Sequence, residues 1–138
     1  MSEAAIIYWS GTGNTKAMAD YIAKGFKESS KDVDIFEVSG APRDLSPYVK
    51  LAFGCPSMGA EELEDSEFAP YFTGVEGDLS GKRVALFGSY GWGDGEWMRS
   101  WEARVRDRGA ILAEDGLTQQ ETPEESACVE YGKRFAVL

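Results

Sequence analysis

The chain of 138 residues has no histidine and only two cysteines, Cys55 and Cys128. Without histidine it lacks the commonest transition-metal ligand and the usual general base of a serine or cysteine hydrolase. Two thiols with no C-x-x-C spacing are too few for an iron-sulfur cluster held by four. A metal centre and nucleophilic hydrolysis are both disfavoured, and carriage of electrons or groups gains by comparison. No apolar run approaches the roughly 20 residues of a membrane span. Glu3 precedes a short apolar stretch, with neither the basic flank nor the cleavage pattern of a signal peptide, so a cytoplasmic location is expected. Positive charge is also scarce, since 14 Lys and Arg stand against 24 Asp and Glu for a formal charge of −10. Nucleic acid and anionic membranes would be repelled, whereas a partner with a basic docking surface would be attracted.

What is present suits one domain over 1–138. Residues 4–9, "AAIIYW", read as a buried strand, and 14–29 carry Met18, Ile22 and Phe26 at helical spacing. "VDIFEV" at 33–38 alternates as a half-buried strand, while "KLAFG" at 50–54 and "KRVALFGS" at 82–89 read as central strands ending at Gly-rich loops. A short helix is expected around 67–73 and an amphipathic one over 94–108, with Arg99, Arg104, Arg106 and Arg108 on its solvent face. Residues 110–118 suggest one edge strand interrupted by Gly116. Pro123 marks a last helix with Cys128, Tyr131, Phe135 and Leu138 on its inner stripe. Strands alternating with helices imply an α/β fold, a doubly wound parallel sheet of five strands in the order 2-1-3-4-5 with helices on both faces. Ligands bind such sheets beyond the carboxyl ends of the strands, where strand order reverses. The loops after the first, third and fourth strands meet there.

The first of these loops, Ser10-Gly11-Thr12-Gly13-Asn14-Thr15, opens a helix whose leading N–H groups lack intrahelical partners and whose dipole favours an anion. Its glycines allow the backbone to curl, its hydroxyls and amide add donors, and Lys16 is the nearby cation. The spacing is neither a P-loop nor G-x-G-x-x-G. The second loop, "GCPSMGAEELE" at 54–64, offers Met58, Gly59 and Glu61, and "GSYGWGDGEW" at 88–97 offers Trp92 among glycines. A thioether and an indole can cover the two faces of a planar ring. Together the loops suit an aromatic phosphate ester. The bland alternatives are a capped helix start, a packed methionine and a half-buried loop tryptophan.

The segments "YWSGTGNT", "GCPSMGAEELE" and "LFGSYGWGDGEWM" resemble the short-chain flavodoxins, FMN-binding electron carriers typical of anaerobic bacteria, and the likeness runs over the whole 138 residues. The resemblance implies a flavodoxin-like fold and a low-potential carrier that substitutes for ferredoxin. It would shuttle between semiquinone and hydroquinone, one electron at a time, on non-covalent FMN. It implies that Ser10, Gly11, Thr12, Gly13, Asn14 and Thr15 hold the phosphate, with Ser89 reaching the same region. Cys55, Pro56, Ser57, Met58, Gly59, Ala60 and Glu61 would lie along the dimethylbenzene and N5 side. Ser89, Tyr90, Gly91, Trp92 and Gly93 would flank the pyrimidine side and outer face, with Trp92 stacked outside, Met58 packed inside and Glu61 accepting from N3–H. The Gly59 carbonyl would rotate to accept from N5–H after one reduction. A type II turn there puts Ala60 at positive φ, a strain of about 1 kcal/mol that would lower the first potential by roughly a few tens of millivolts.

The partners implied are ferredoxin-dependent types of oxidoreductase, including pyruvate-oxidising enzymes, hydrogenase and nitrogenase, and the chain is expected to act as a monomer without substrate turnover of its own. Glu61, Glu62, Glu64, Asp65 and Glu67 would steer such partners or form a solvated face. The main rival is an FMN-dependent quinone or NAD(P)H oxidoreductase on the same fold, against which stands the lack of a second nucleotide site. A phosphoacceptor receiver domain needs acids where "WSGTGN" stands, and a module without cofactor would be colourless.

Overall fold

Five consecutive apolar residues, Ala4–Tyr8, form β1, and all five are buried because helices cover both faces of the sheet. The computed structural model describes residues 3–138. The elements that follow are α1 (Asn14–Glu28), β2 (Asp34–Glu37), β3 (Lys50–Gly54), α2 (Phe68–Val75), β4 (Arg83–Tyr90), α3 (Glu96–Asp107), β5 (Ile111–Leu112), β6 (Leu117–Gln120) and α4 (Glu125–Ala136). The sheet is parallel, in the order β2-β1-β3-β4-β5, with β6 also paired to β4. In register, Ile6 faces Ile35 on one side and Ala52 on the other. Strand order therefore reverses between β1 and β3, and a crevice opens at their carboxyl ends.

Alternate residues of each strand feed two cores. On one face Met18, Ile22 and Phe26 of α1 meet Cys128, Tyr131 and Phe135 of α4 over Ile6 and Phe87. On the other, Phe68 and Phe72 of α2 meet Trp97, Trp101 and Val105 of α3 over Ile7, Phe53 and Leu86. Phe68 and Phe72 each meet the Trp101 ring edge-on, at 5.4 and 5.7 Å between centroids. The helices α1 and α4 approach so closely that a Cβ on Gly25 would lie 1.9 Å from the Val129 carbonyl oxygen. One on Gly132 would lie 2.1 Å from that of Ile22.

Three expectations are corrected. The single edge strand over 110–118 is two strands, β5 and β6, both parallel to β4. Gly116, between them, is drawn onto α3: its N–H donates to Glu102 Oε2 at 2.6 Å, and a Cβ there would meet Met98 Sδ at 2.3 Å. The arginines of α3 are not simply a solvent face. Arg104 and Arg108 both bind Glu76, whose side chain is 6% exposed, and Arg104 also lies over the Phe72 ring. The last helix begins at Glu125 rather than at Pro123, and Leu138 lies beyond it, 38% exposed.

Candidate functional site

A cleft of about 310 Å³ lies at the carboxyl ends of β1, β3 and β4, within the size range of small-ligand sites. Its polar end is the start of α1. Gly13 precedes that helix in the left-handed conformation, φ 100, and no acidic side chain offsets the dipole in the first turn. The Gly13 N–H donates to Ser10 Oγ at 3.0 Å, which closes the loop on itself. Thr15 and Ser89, 74 residues apart, meet through their side-chain oxygens at 2.9 Å. That contact ties the loop after β1 to the end of β4.

The segment beyond β3 continues alongside β4, with the Cys55 N–H donating to the Phe87 carbonyl at 3.1 Å and that of Ser57 to the Ser89 carbonyl at 3.0 Å. Met58 and Glu62 then exchange two backbone bonds of 2.9 Å, closing a loop over Gly59, Ala60 and Glu61. The left-handed positions are Gly59, φ 48, and Glu61, φ 57, so the strain expected at Ala60 falls on Glu61 instead. The paired Met58–Glu62 backbone, which the sequence does not disclose, sets that geometry. Glu61 Oε1 accepts from the N–H groups of Gly95 and Glu96 at 3.2 and 3.1 Å, at the positive end of α3. Gly93 sits so close that a Cβ would come within 2.6 Å of the Glu61 carboxyl.

Of the residues proposed from sequence, Gly11, Thr12 and Asn14 line the polar end of the cleft. Pro56, Ser57 and Met58 form one wall, and Ser89, Tyr90 and Gly91 form the other. Ser10, Gly13 and Thr15 stand behind the polar end and shape it. Cys55 is fully buried beneath, its carbonyl accepting from the Trp97 indole at 3.1 Å, while burial pushes its thiol up to about 12. Gly59, Ala60, Glu61 and Gly93 fall outside the lining, on the loops that follow its Met58 and Gly91, and Trp92, also outside it, stands 65% exposed. Lys16 is turned away onto Asp20 at 3.0 Å. Among the described residues, the lining holds no lysine or arginine, so an anion there would be held by neutral donors.

Two lining residues escaped the sequence reading, Trp9 and Glu121. The sequence reads Trp9 as part of its strand, yet its place immediately before the first loop signals a strand end at the cleft. Its ring lies over Gly11, and its indole N–H donates to Glu67 Oε1 of the segment leading into α2 at 3.0 Å. Nothing in the local sequence marks Glu121, which reaches the cleft only because β6 pairs with the end of β4. The cleft thus offers small donors at one end and the broad apolar surfaces of Trp9, Met58 and Tyr90 at the other. This combination matches a phosphate ester of a flat ring.

A family model described as Flavodoxin matches residues 6–132. The chain is 50% identical over 134 residues to a flavodoxin of Clostridium beijerinckii, a match covering 95% of this chain and 97% of the relative. It is 44% identical over 133 residues to a flavodoxin of Megasphaera elsdenii, covering 95% and 96%. The solution structure of two-electron reduced Megasphaera elsdenii flavodoxin superposes with a TM-score of 0.90 at 42% identity, covering 98% of this chain and 99% of that one.

Proposed function

The chain belongs to the flavodoxin family of FMN-bound electron carriers, and we propose that it passes electrons singly, at low potential, between redox enzymes, where it replaces a ferredoxin. The observation that carries this reading is the two-ended cleft, with the Thr15–Ser89 contact behind its donor end and Trp9, Met58 and Tyr90 along its flat end. FMN supplies chemistry the side chains lack, since its ring accepts one or two electrons.

The phosphate would be held by the first-turn amides of α1 and by the hydroxyls of Ser10, Thr12 and Thr15, with Asn14 adding an amide. Neutral donors suffice because they are fixed in place and already directed at the anion. Met58 would pack on the inner face of the ring. Trp92, exposed on a loop whose Gly93 and Gly95 both have positive φ, would cover the outer face. Glu61 Oε1 is engaged by α3, which leaves Oε2 to accept from the ring's N3–H. The loop over Gly59 and Ala60 would present a carbonyl to N5–H. Net charge and an apolar wall both oppose negative charge on the ring, which favours a low second potential.

Met58, 37% exposed, and Trp92 stand beside the acids 61, 62, 65 and 67, whereas Glu64, expected on the same face, is only 5% exposed and its carboxylate accepts from the N–H groups of Ser66, Glu67 and Phe68. This surface fits a redox partner with a basic docking face, met by a monomer in the cytoplasm. No helix among the described residues is long and apolar enough to cross a membrane.

Anaerobic stepwise reduction of the FMN-loaded protein tests the reading. Two separated one-electron steps, with long-wavelength absorbance appearing at half reduction, are expected. A single two-electron step, or sustained oxidation of NAD(P)H by the protein alone, would overturn it.

A further inference from the structure

We propose that Glu67 is a positioning residue for phosphate binding: it holds the Trp9 indole, and the indole braces the loop that receives the anion. Trp9 follows β1 directly and lines the cleft. Its backbone N–H donates to the Gly54 carbonyl at 3.0 Å, and its indole N–H donates to Glu67 Oε1 at 3.0 Å, 58 residues away in sequence. The six-membered ring lies against the phosphate loop. A Cβ on Gly11 would stand 3.0 Å from Trp9 Cη2 and 3.3 Å from Cζ3. Gly11 is not among the glycines with positive φ, so it is the indole, and not the backbone angle, that a side chain at this position would meet.

The far end of the brace is fixed independently of the cleft. Glu64, 5% exposed, accepts through Oε1 from the N–H groups of Glu67 and Phe68, both at 2.8 Å, and its own N–H donates to Cys55 Sγ at 3.3 Å, just beyond β3. These bonds hold the backbone of residue 67 and would survive replacement of its side chain. Glu67 stands at the N-cap position of α2, yet its side chain makes no capping bond and serves Trp9 instead.

The loop itself is closed by hydrogen bonds at Gly13 and Thr15, and at Gly11 it leans on the indole. An anion held by neutral donors gains from donors fixed before it arrives, because their ordering is then not charged against binding. Releasing the indole from Glu67 loosens the loop and weakens the grip on phosphate. Glu67 is exposed, so water competes for the bond and the effect is modest.

This inference rests on FMN carriage, and fluorescence titration of the flavin-free chain with FMN and with riboflavin tests the two separately. Glu67→Ala should weaken FMN by about threefold to tenfold and riboflavin, which lacks the phosphate, by less than about twofold. Glu67→Gln keeps a carbonyl oxygen for the indole and should restore parental affinity for both. In Trp9→Phe, which has no indole N–H, adding Glu67→Ala should change FMN affinity no further. Gly11→Ala should cost more FMN affinity in the parent than in Trp9→Phe, whose smaller ring leaves room for the added methyl. Equal losses of FMN and riboflavin in Glu67→Ala, a Gln variant as weak as the Ala one, or full additivity with Trp9→Phe would each overturn the proposal. A parent chain that takes up neither flavin would instead break the carrier reading.

Discussion

The side-chain oxygens of Thr15 and Ser89 lie 2.9 Å apart, both residues almost fully buried, and tie the first turn of α1 to β4. Ser89→Ala would leave the Thr15 hydroxyl buried without this partner, at a cost of about 1–3 kcal/mol. The stability loss should appear in chemical unfolding. FMN affinity should fall by about tenfold while riboflavin, which lacks the phosphate, loses less, a difference that fluorescence titration resolves.

Glu61 and Gly93 should be energetically coupled. Glu61→Ala removes an acceptor from two N–H groups at the start of α3 and should cost about 1 kcal/mol. Gly93→Ala introduces a Cβ 2.6 Å from the Glu61 carboxyl at a backbone φ of 93. It should destabilise more in the parent than in Glu61→Ala, where only the left-handed strain of about 1–2 kcal/mol remains. A double-mutant cycle by urea unfolding measures the coupling, and strict additivity would contradict the contact.

Glu76 should contribute a pH-dependent part of stability. The hydrogen bond from Arg104 holds its carboxyl below the ordinary carboxylate range, against the opposing effect of burial and with Arg108 assisting. A carboxyl lowered in the folded state stabilises at pH above its unfolded value, and the contribution is lost as pH falls through the folded value. Glu76→Gln should therefore cost roughly 1–3 kcal/mol at pH 7. The two proteins should converge as pH drops below the usual carboxylate range, which thermal unfolding across pH 3–7 would follow.

Neither thiol should react while the chain is folded. Burial pushes Cys55 up to about 12 and Cys128 up to about 11, and both residues are fully buried. Iodoacetamide at pH 8 should leave the native protein unmodified and add two labels after denaturation, as read by intact mass.

Electron transfer to a partner with a basic docking face should slow as salt is added, because charge attraction across a solvent gap is screened within about 10 Å at 0.1 M. Stopped-flow rates that ignore ionic strength would argue against the acidic rim as the docking surface.

Much of this was legible in the chain because the informative signals are local. "AAIIY" and the "LAFG" of β3 are apolar without alternation since both faces of the sheet are covered, and Met18, Ile22 and Phe26 keep helical spacing because one face of α1 is covered. The three loops were found for the same reason, since each follows a recognisable strand. What stayed hidden depends on distant pairings. The break between β5 and β6 needs Met98 and Glu102 to seat Gly116, and the roles of Arg104 and Arg108 need Glu76 to be buried between chains of different elements. The left-handed backbone at Glu61 follows from the Met58–Glu62 pairing rather than from the turn letters. Glu121 enters the cleft through strand pairing alone.

The absence of side chains at Gly25 and Gly132 lets two coils mesh backbone to backbone. A wedge at either point would push the second half of α1 away from α4 and tilt the helix, and the leading end of that same coil is the anion seat. Looseness at a seam remote from any ligand would thus be read out as a misaimed cradle.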